Sequence, residues 1–157
     1  MSNIETVDLT EAQRQFIEEF AALVMPWGLN STAARLYAYL QLRSEPASLD
    51  EIAADLQVSK SNASTAARLL EDSGNARRIG VRGSKRVCYV AGNPGGGLRR
   101  QTALLGLMAE LIERKKDAVT EGVARQRLTG LSDFHLKLKD AMDMVIGEAQ
   151  ADPWQSR

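Results

Sequence analysis

Between residues 59 and 68 the chain runs Ser59-Lys60-Ser61-Asn62-Ala63-Ser64-Thr65-Ala66-Ala67-Arg68, and the next stretch carries Arg77, Arg78, Arg82, Lys85 and Arg86. Hydroxyls, an amide and guanidinium groups are the side chains that hydrogen-bond base edges and pair with phosphates. Asn62 has the donor and acceptor for a two-point contact to adenine, and Arg68 the fork for guanine. Bond-making chemistry has far less to work with. The single histidine, His135, and the single cysteine, Cys88, lie far apart in sequence. They can form neither a Cys/His metal cluster nor an internal disulfide within one chain. No glycine-rich phosphate loop precedes a helix, and Gly95-Gly96-Gly97 reads as a linker. The expectation is therefore no metal, no cofactor and no catalytic site.

Charge is distributed to match. The whole chain has 20 basic and 20 acidic side chains, so its formal net charge is zero. Residues 1–56 hold three basic against nine acidic groups, whereas 57–90 hold seven basic against only Glu71 and Asp72. A local block of positive charge, rather than the total, attracts a phosphate backbone. Hydrophobic residues at 44% are enough for a core, and charged residues at 25% are ordinary for a globular chain. No apolar run approaches the roughly 18 residues of a membrane span. The start, Met1-Ser2-Asn3-Ile4-Glu5, lacks the basic and apolar parts of a signal peptide. A cytoplasmic location follows as an expectation.

The elements that must position these groups can be read from caps and periodicity. Thr10 and Gln13 form a capping-box pair for a helix over about 10–25, with Phe16, Phe20, Leu23 and Val24 on one face. Pro26 and Gly28 stop it. Asn30-Ser31 starts a second helix to about Arg43, with Ala33, Leu36, Tyr37 and Leu40 inward, and Glu45-Pro46-Ala47 breaks it. Ser48 and Glu51 form another capping box for a short helix whose apolar face is Leu49, Ile52, Ala53 and Leu56. After the tight turn at Gln57-Val58, Ser59 caps a helix over about 60–72, packed through Ala63, Ala67 and Leu70 or Leu69 and ended by Gly74. Two β-type runs, Ala76–Val81 and Arg86–Val90, joined by Arg82-Gly83-Ser84-Lys85, make a hairpin.

A short helix, a tight turn, a second helix with a polar outer face and a basic hairpin together predict a winged helix-turn-helix. The fold class expected is mainly α with a small β-hairpin wing, followed by C-terminal dimerisation helices. Ser59, Lys60, Ser61, Asn62, Ser64, Thr65 and Arg68 are the candidate contacts on the recognition helix. Arg77, Arg82, Lys85 and Arg86 are the candidates on the wing. A solvated helix face would explain the polar stretch alone, but not the stretch and the cationic hairpin in this order.

Several stretches carry a family likeness: Trp27-Gly28-Leu29, Thr32-Ala33-Ala34-Arg35-Leu36-Tyr37, Glu45-Pro46, Ser48-Leu49-Asp50-Glu51-Ile52-Ala53 and Val58-Ser59-Lys60. Ser64-Thr65, Arg68, Leu70-Glu71, Gly74 and Arg77-Arg78 continue it. Over about 16–90 the chain resembles the GbsR-like branch of the MarR-type transcription regulators. The resemblance implies a homodimer whose two recognition helices enter successive major grooves of a near-palindromic site in double-stranded DNA. It also implies a small-molecule effector held near the junction with the dimer helices. Trp27 and Tyr37 are candidates to hold a quaternary ammonium group by cation–π contact, against the plainer reading that both are core aromatics. The family usually has a bulky apolar residue where Ala63 and Ala67 stand, and two apolar residues where Asn75-Ala76 lead into the wing. A thinner core under the recognition helix, or closer approach of its neighbours, follows.

Gly92-Asn93-Pro94-Gly95-Gly96-Gly97 is the clearest linker. The domains expected are 1–92, the N-terminal helix with the winged helix-turn-helix, and 93–157, a helical dimerisation region. Helical patterns over about 98–127 and 131–149, separated by Leu128-Thr129-Gly130, fill the second. Leu104, Leu107, Met108 and Leu111 recur in one, and Leu131, Phe134, Leu138 and Val145 in the other. Such stripes are expected to pack on a second copy, with Phe16, Phe20 and Leu23 also contributing. Arg114-Lys115-Lys116 reads as a solvated face, His135 as a surface or interface residue, and Cys88 as a small buried strand residue rather than a redox switch. The function expected is a sequence-specific DNA-binding regulator. The alternative is a winged-helix docking module, which would more often expose an apolar patch than a cationic wing.

Overall fold

The structure, a computed structural model, describes residues 8–148. The chain divides into two compact units, Met1–Gly92 and Asn93–Arg157. Among the described residues no helix is long and apolar enough to cross a membrane.

The first unit begins with α1 (Glu11–Val24), capped by Thr10 and Gln13 in a reciprocal capping box. A 3₁₀ turn over Met25–Trp27 ends at Gly28. Then come α2 (Ser31–Leu42) behind its Asn30 cap, β1 (Ala47–Ser48) and α3 (Leu49–Leu56). They are followed by α4 (Lys60–Asp72), β2 (Ala76–Gly80) and β3 (Val87–Ala91). The sheet is antiparallel in the order β1-β3-β2, with Ser48 opposite Cys88 and Arg78 opposite Tyr89. This is a winged helix-turn-helix.

Its core is built from Ile17, Leu36, Tyr39, Ile52, Leu56 and Leu70, filled in by Ala33, Ala38, Ala63 and Ala67. The alanines of α4 face a core that α2 also lines with alanines. Small side chains on both helices allow close approach, one of the two outcomes expected from the departures of Ala63 and Ala67. Of the two leucines offered for the inner face of α4, Leu70 is buried and Leu69 is exposed. In α1, Ile17 and Ala21 are buried, while Phe16 and Leu23, on the face expected to meet a second copy, are exposed. Phe20 lies between, stacked on Phe16 at 5.4 Å and tilted against Tyr37 at 5.9 Å.

Two hydrogen bonds close the C-terminus of α4, Asn75 N–H to Leu70 O at 2.8 Å and Gly74 N–H to Glu71 O at 3.0 Å. This double closure aims the chain into β2. At the far end of β3, Gly92 donates to Asn75 O at 2.9 Å. A Cβ on Gly92 would lie 2.2 Å from Gly74 O, so only glycine lets the strand pass this close to the helix end. The wing loop is longer than expected, running from 81 to 86. Ser84 N–H bonds Val81 O and Arg86 N–H bonds Ser84 Oγ, which withdraws both amides from the ladder.

The second unit is a helical pair, α5 (Arg99–Val119) and α6 (Gly122–Glu148), entered by a 3₁₀ turn over Gly96–Leu98. The break between the helices lies at Thr120-Glu121, not at Leu128-Thr129-Gly130. Thr120 is extended and Gly122 has a φ of 61°, a left-handed conformation that ends the run of α5. Thr129 lies within α6, its hydroxyl donating to Arg125 O at 3.1 Å. Gly130 inside a helix costs only about 1 kcal/mol. Residue 149, where the last helix was expected to end, and Trp154 lie outside the described residues.

Buried positions in this pair are few and mostly small or polar: Thr102, Ala109, Ser132, His135 and Ile146. Ser132 Oγ donates to Ala109 O at 3.4 Å. His135 is therefore buried rather than on the surface, although it adjoins the exposed Phe134. The leucine stripes of both helices stay open to solvent.

Candidate nucleic-acid interface

The helix-turn-helix is held by polar contacts beneath it. Tyr39 of α2, fully buried, donates its hydroxyl to Asp55 of α3 at 2.6 Å. Burial and that hydrogen bond push the phenol far above its ordinary pKa, against the opposing pull of Arg43, so the phenol stays a donor. The Arg43 guanidinium lies 5.7 Å from the Tyr39 ring centre and reaches Glu51 at 3.4 Å. Glu51 also accepts from Ser48 N–H at 2.8 Å. Between the two helices Gln57 takes a φ of 55°, and its N–H closes α3 onto Ala53 O and Ala54 O. α3 is thereby tied to α2 at both ends, which fixes the direction of α4.

On α4 the side chains divide by height above the core. Ala63, Ala66, Ala67 and Leu70 point in. Ser61, Asn62, Thr65 and Arg68 are exposed, as are Ser59 and Lys60, and Ser64 is half-buried. Ser59 accepts from Asn62 N–H at 3.1 Å, so it caps the helix and keeps only its hydroxyl proton to give. Lys60 is engaged within the molecule, its Nζ 2.9 Å from Asp50 Oδ1. An open cleft of about 280 Å³ runs beside α4, lined by Asn30, Ser31 and Thr32 at the start of α2 and by Asn62, Thr65 and Ala66. The start of α2 thus joins the same polar surface, a proximity with no local signal in the sequence.

In the wing, Arg82, Lys85 and Arg86 are exposed around the tip. Arg77 is half-buried on β2, whereas its neighbour Arg78 is exposed. Burial and Glu71 raise the pKa of the Tyr89 phenol, while Arg78 and Arg68 act together to lower it. Arg68 and Arg78 therefore both carry their charge within reach of the Tyr89 phenol. Arg78 was counted in the basic block but not singled out, although strand alternation around Arg77 separates the two. Cys88 is buried in β3. Burial and Glu51 hold its thiol above the ordinary value, with Arg86 opposing, so the neutral form is favoured.

The two aromatic candidates have different settings. Trp27 is 72% exposed on the 3₁₀ turn, while Tyr37 is half-buried against Phe20. Neither lines the cleft beside α4. Among the described residues, no group of three or more His, Cys, Asp or Glu side chains is placed to hold a metal ion.

The assembled surface is a polar helix face flanked by a cationic hairpin, able to hydrogen-bond base edges and neutralise phosphates without forming or breaking a covalent bond. No protein-family model matches the chain, and no curated protein matches it. A solved structure described as the crystal structure of a transcriptional regulator is similar to it in fold. The TM-score is 0.70 at 22% identity, over 93% of this chain and 99% of that one.

Proposed function

We propose that this chain is a transcription regulator that binds double-stranded DNA as a homodimer. The observation that carries the reading is the two-sided build of α4. Its inner side is a closed row of alanines and Leu70, and its outer side presents Ser61, Asn62, Thr65 and Arg68 beside the exposed cations of the wing. A helix of this kind fits the major groove with its N-terminal residues at the base edges. Asn62 and Arg68 are the base-reading candidates. Arg82, Lys85 and Arg86 suit the phosphate strand or the adjacent minor groove, and Arg78 belongs with them. Ser59 and Lys60 act at the helix start, one as the cap and the other toward phosphate. Arg77, half-buried, is assigned to the strand rather than to the contact surface. The neighbour's description as a transcriptional regulator supports the reading.

Dimerisation is the second part of the proposal. Leu104, Leu107, Met108 and Leu111 on α5 and Phe134 and Val145 on α6 are all exposed. Apolar stripes along two helices are more surface than a solitary soluble chain leaves open. A twin chain would cover them and hold two copies of α4 at a fixed spacing.

Selection of bound sequences from a randomised duplex library by the full-length protein tests the reading. A two-fold symmetric motif is expected, with an affinity that falls steeply as salt rises, by a slope of about −0.9 per phosphate contacted. Binding that ignores salt, or recovery of no motif, would remove DNA as the partner.

A further inference from the structure

Asp50 stands at the first turn of α3, next to the surface assigned to DNA yet opposite to it in charge. Its Oδ1 lies 2.9 Å from Lys60 Nζ at the start of α4, and both side chains are more than 60% exposed. A second cation lies nearby in the fold: Ser48, two residues before Asp50, pairs with Cys88, two residues after Arg86. The electrostatics agree. Lys60, through a hydrogen bond and its charge, and then Arg86 hold the Asp50 carboxyl below its usual range. One carboxylate therefore pairs with a cation of the recognition helix within the field of a cation of the wing.

We propose that Asp50 is an internal substitute for a DNA phosphate, occupying Lys60 near the wing cation Arg86 in the free protein and giving way when the backbone of a duplex arrives. The proposal rests on the DNA-binding reading and adds a regulatory feature to it. A carboxylate in this position neutralises cations that would otherwise hold DNA of any sequence. A phosphate must compete with it for Lys60, so the electrostatic, sequence-independent part of binding is kept weak. Asp50 is a positioning residue here, because it acts through Lys60 and touches no base.

The test compares the full-length wild type with Asp50→Asn, Asp50→Glu and the double variant Asp50→Asn/Lys60→Gln on a random-sequence duplex over a range of salt. Asp50→Asn is expected to bind roughly three- to tenfold more tightly at low salt, the worth of an exposed charge contact. Its log–log salt slope should stay close to that of wild type, because Lys60 reaches a phosphate in both once Asp50 has given way. Asp50→Glu should stay close to wild type, and the double variant should lose most of the gain. A purely structural role for Asp50 would give an effect that does not depend on Lys60. The proposal is overturned if Asp50→Asn binds no better than wild type, or if its gain survives in full without Lys60. A wild type with no salt-dependent affinity for any duplex would instead overturn the DNA-binding reading, and this proposal with it.

Discussion

The two units spend their apolar residues in opposite ways. In the first, the large side chains converge: Ile17, Leu36, Tyr39, Ile52, Leu56 and Leu70 are all at most 1% exposed. In the second, the helix pair closes over Thr102, Ala109 and Ser132, while Leu107 and Phe134 remain 59% exposed. A unit whose core is complete can offer its surface to a polar ligand. A unit whose leucines face outward leaves apolar surface to be covered. The proposed function divides the labour accordingly, with recognition on the closed unit and assembly on the open one.

Cutting the chain after Gly92 breaks this comparison most severely. The core cluster of the first unit is made wholly of residues before Gly92, so the fragment is expected to fold. It should sediment as a monomer, and its affinity for a palindromic site should fall by roughly two to four orders of magnitude, because the second half-site is no longer held at high effective concentration. A fragment that stays dimeric and binds as tightly as the full chain would place the assembly surface in the first unit.

A pair of leucine substitutions sharpens the contrast. Leu70→Ala empties a fully buried site and is expected to cost about 2–5 kcal/mol in denaturant unfolding, at any protein concentration. Leu107→Ala removes an exposed side chain, so its cost should appear instead as a weaker dimer. Its melting temperature should depend more strongly on protein concentration than that of wild type. If Leu107→Ala destabilises the chain independently of concentration, the stripe is not an assembly surface.

Arginines separate the units in the same manner. Arg68→Ala should weaken binding to a specific site by about 1–3 kcal/mol and relax base preference. Arg114→Ala, on the solvated face of α5, should leave DNA affinity within error. Equal losses from Arg68→Ala on specific and random duplexes would make Arg68 a phosphate contact.

What could be read from the sequence also differs between the units, for a physical reason. Caps and turns are local, so Thr10, Asn30, Ser48 and Ser59 marked the helix starts correctly, and Gly74 marked the end of α4. Long-range contacts leave no such mark. The two-residue β1, the Tyr39–Asp55 hydrogen bond and the approach of Ser31 to Asn62 depend on which elements meet. In the helix pair a glycine was read as a stop at Gly130, where a helical backbone tolerates it, rather than at Gly122, where the left-handed conformation needs it. In α1 the pattern picks out the face of Phe16, Phe20 and Leu23, whereas the burial of Ile17 and Ala21 depends on which elements pack against it.

The smallest expected effect concerns the capping box that anchors α3 within the closed unit. Burial pushes the Glu51 carboxyl up, but the Ser48 hydrogen bonds and the nearby charges of Arg43 and Arg86 prevail and hold it below its ordinary value. In the unfolded chain it returns to about 4.3. A carboxyl depressed on folding stabilises the native state in full above that value, and the contribution fades as pH falls through the lower folded value. Glu51→Gln keeps an oxygen that can accept from Ser48 N–H but removes the charge. Urea unfolding at neutral pH should show a loss of about 0.5 kcal/mol, the scale of a partly exposed ion pair and a helix N-terminal charge. As pH falls below the ordinary carboxylate range the difference from wild type should shrink, because wild-type Glu51 then takes up its proton as well. A difference that is equally large at neutral and at acid pH would mean that Glu51 acts through shape and hydrogen bonding alone, and that its charge does not help to fix α3 beneath the recognition helix.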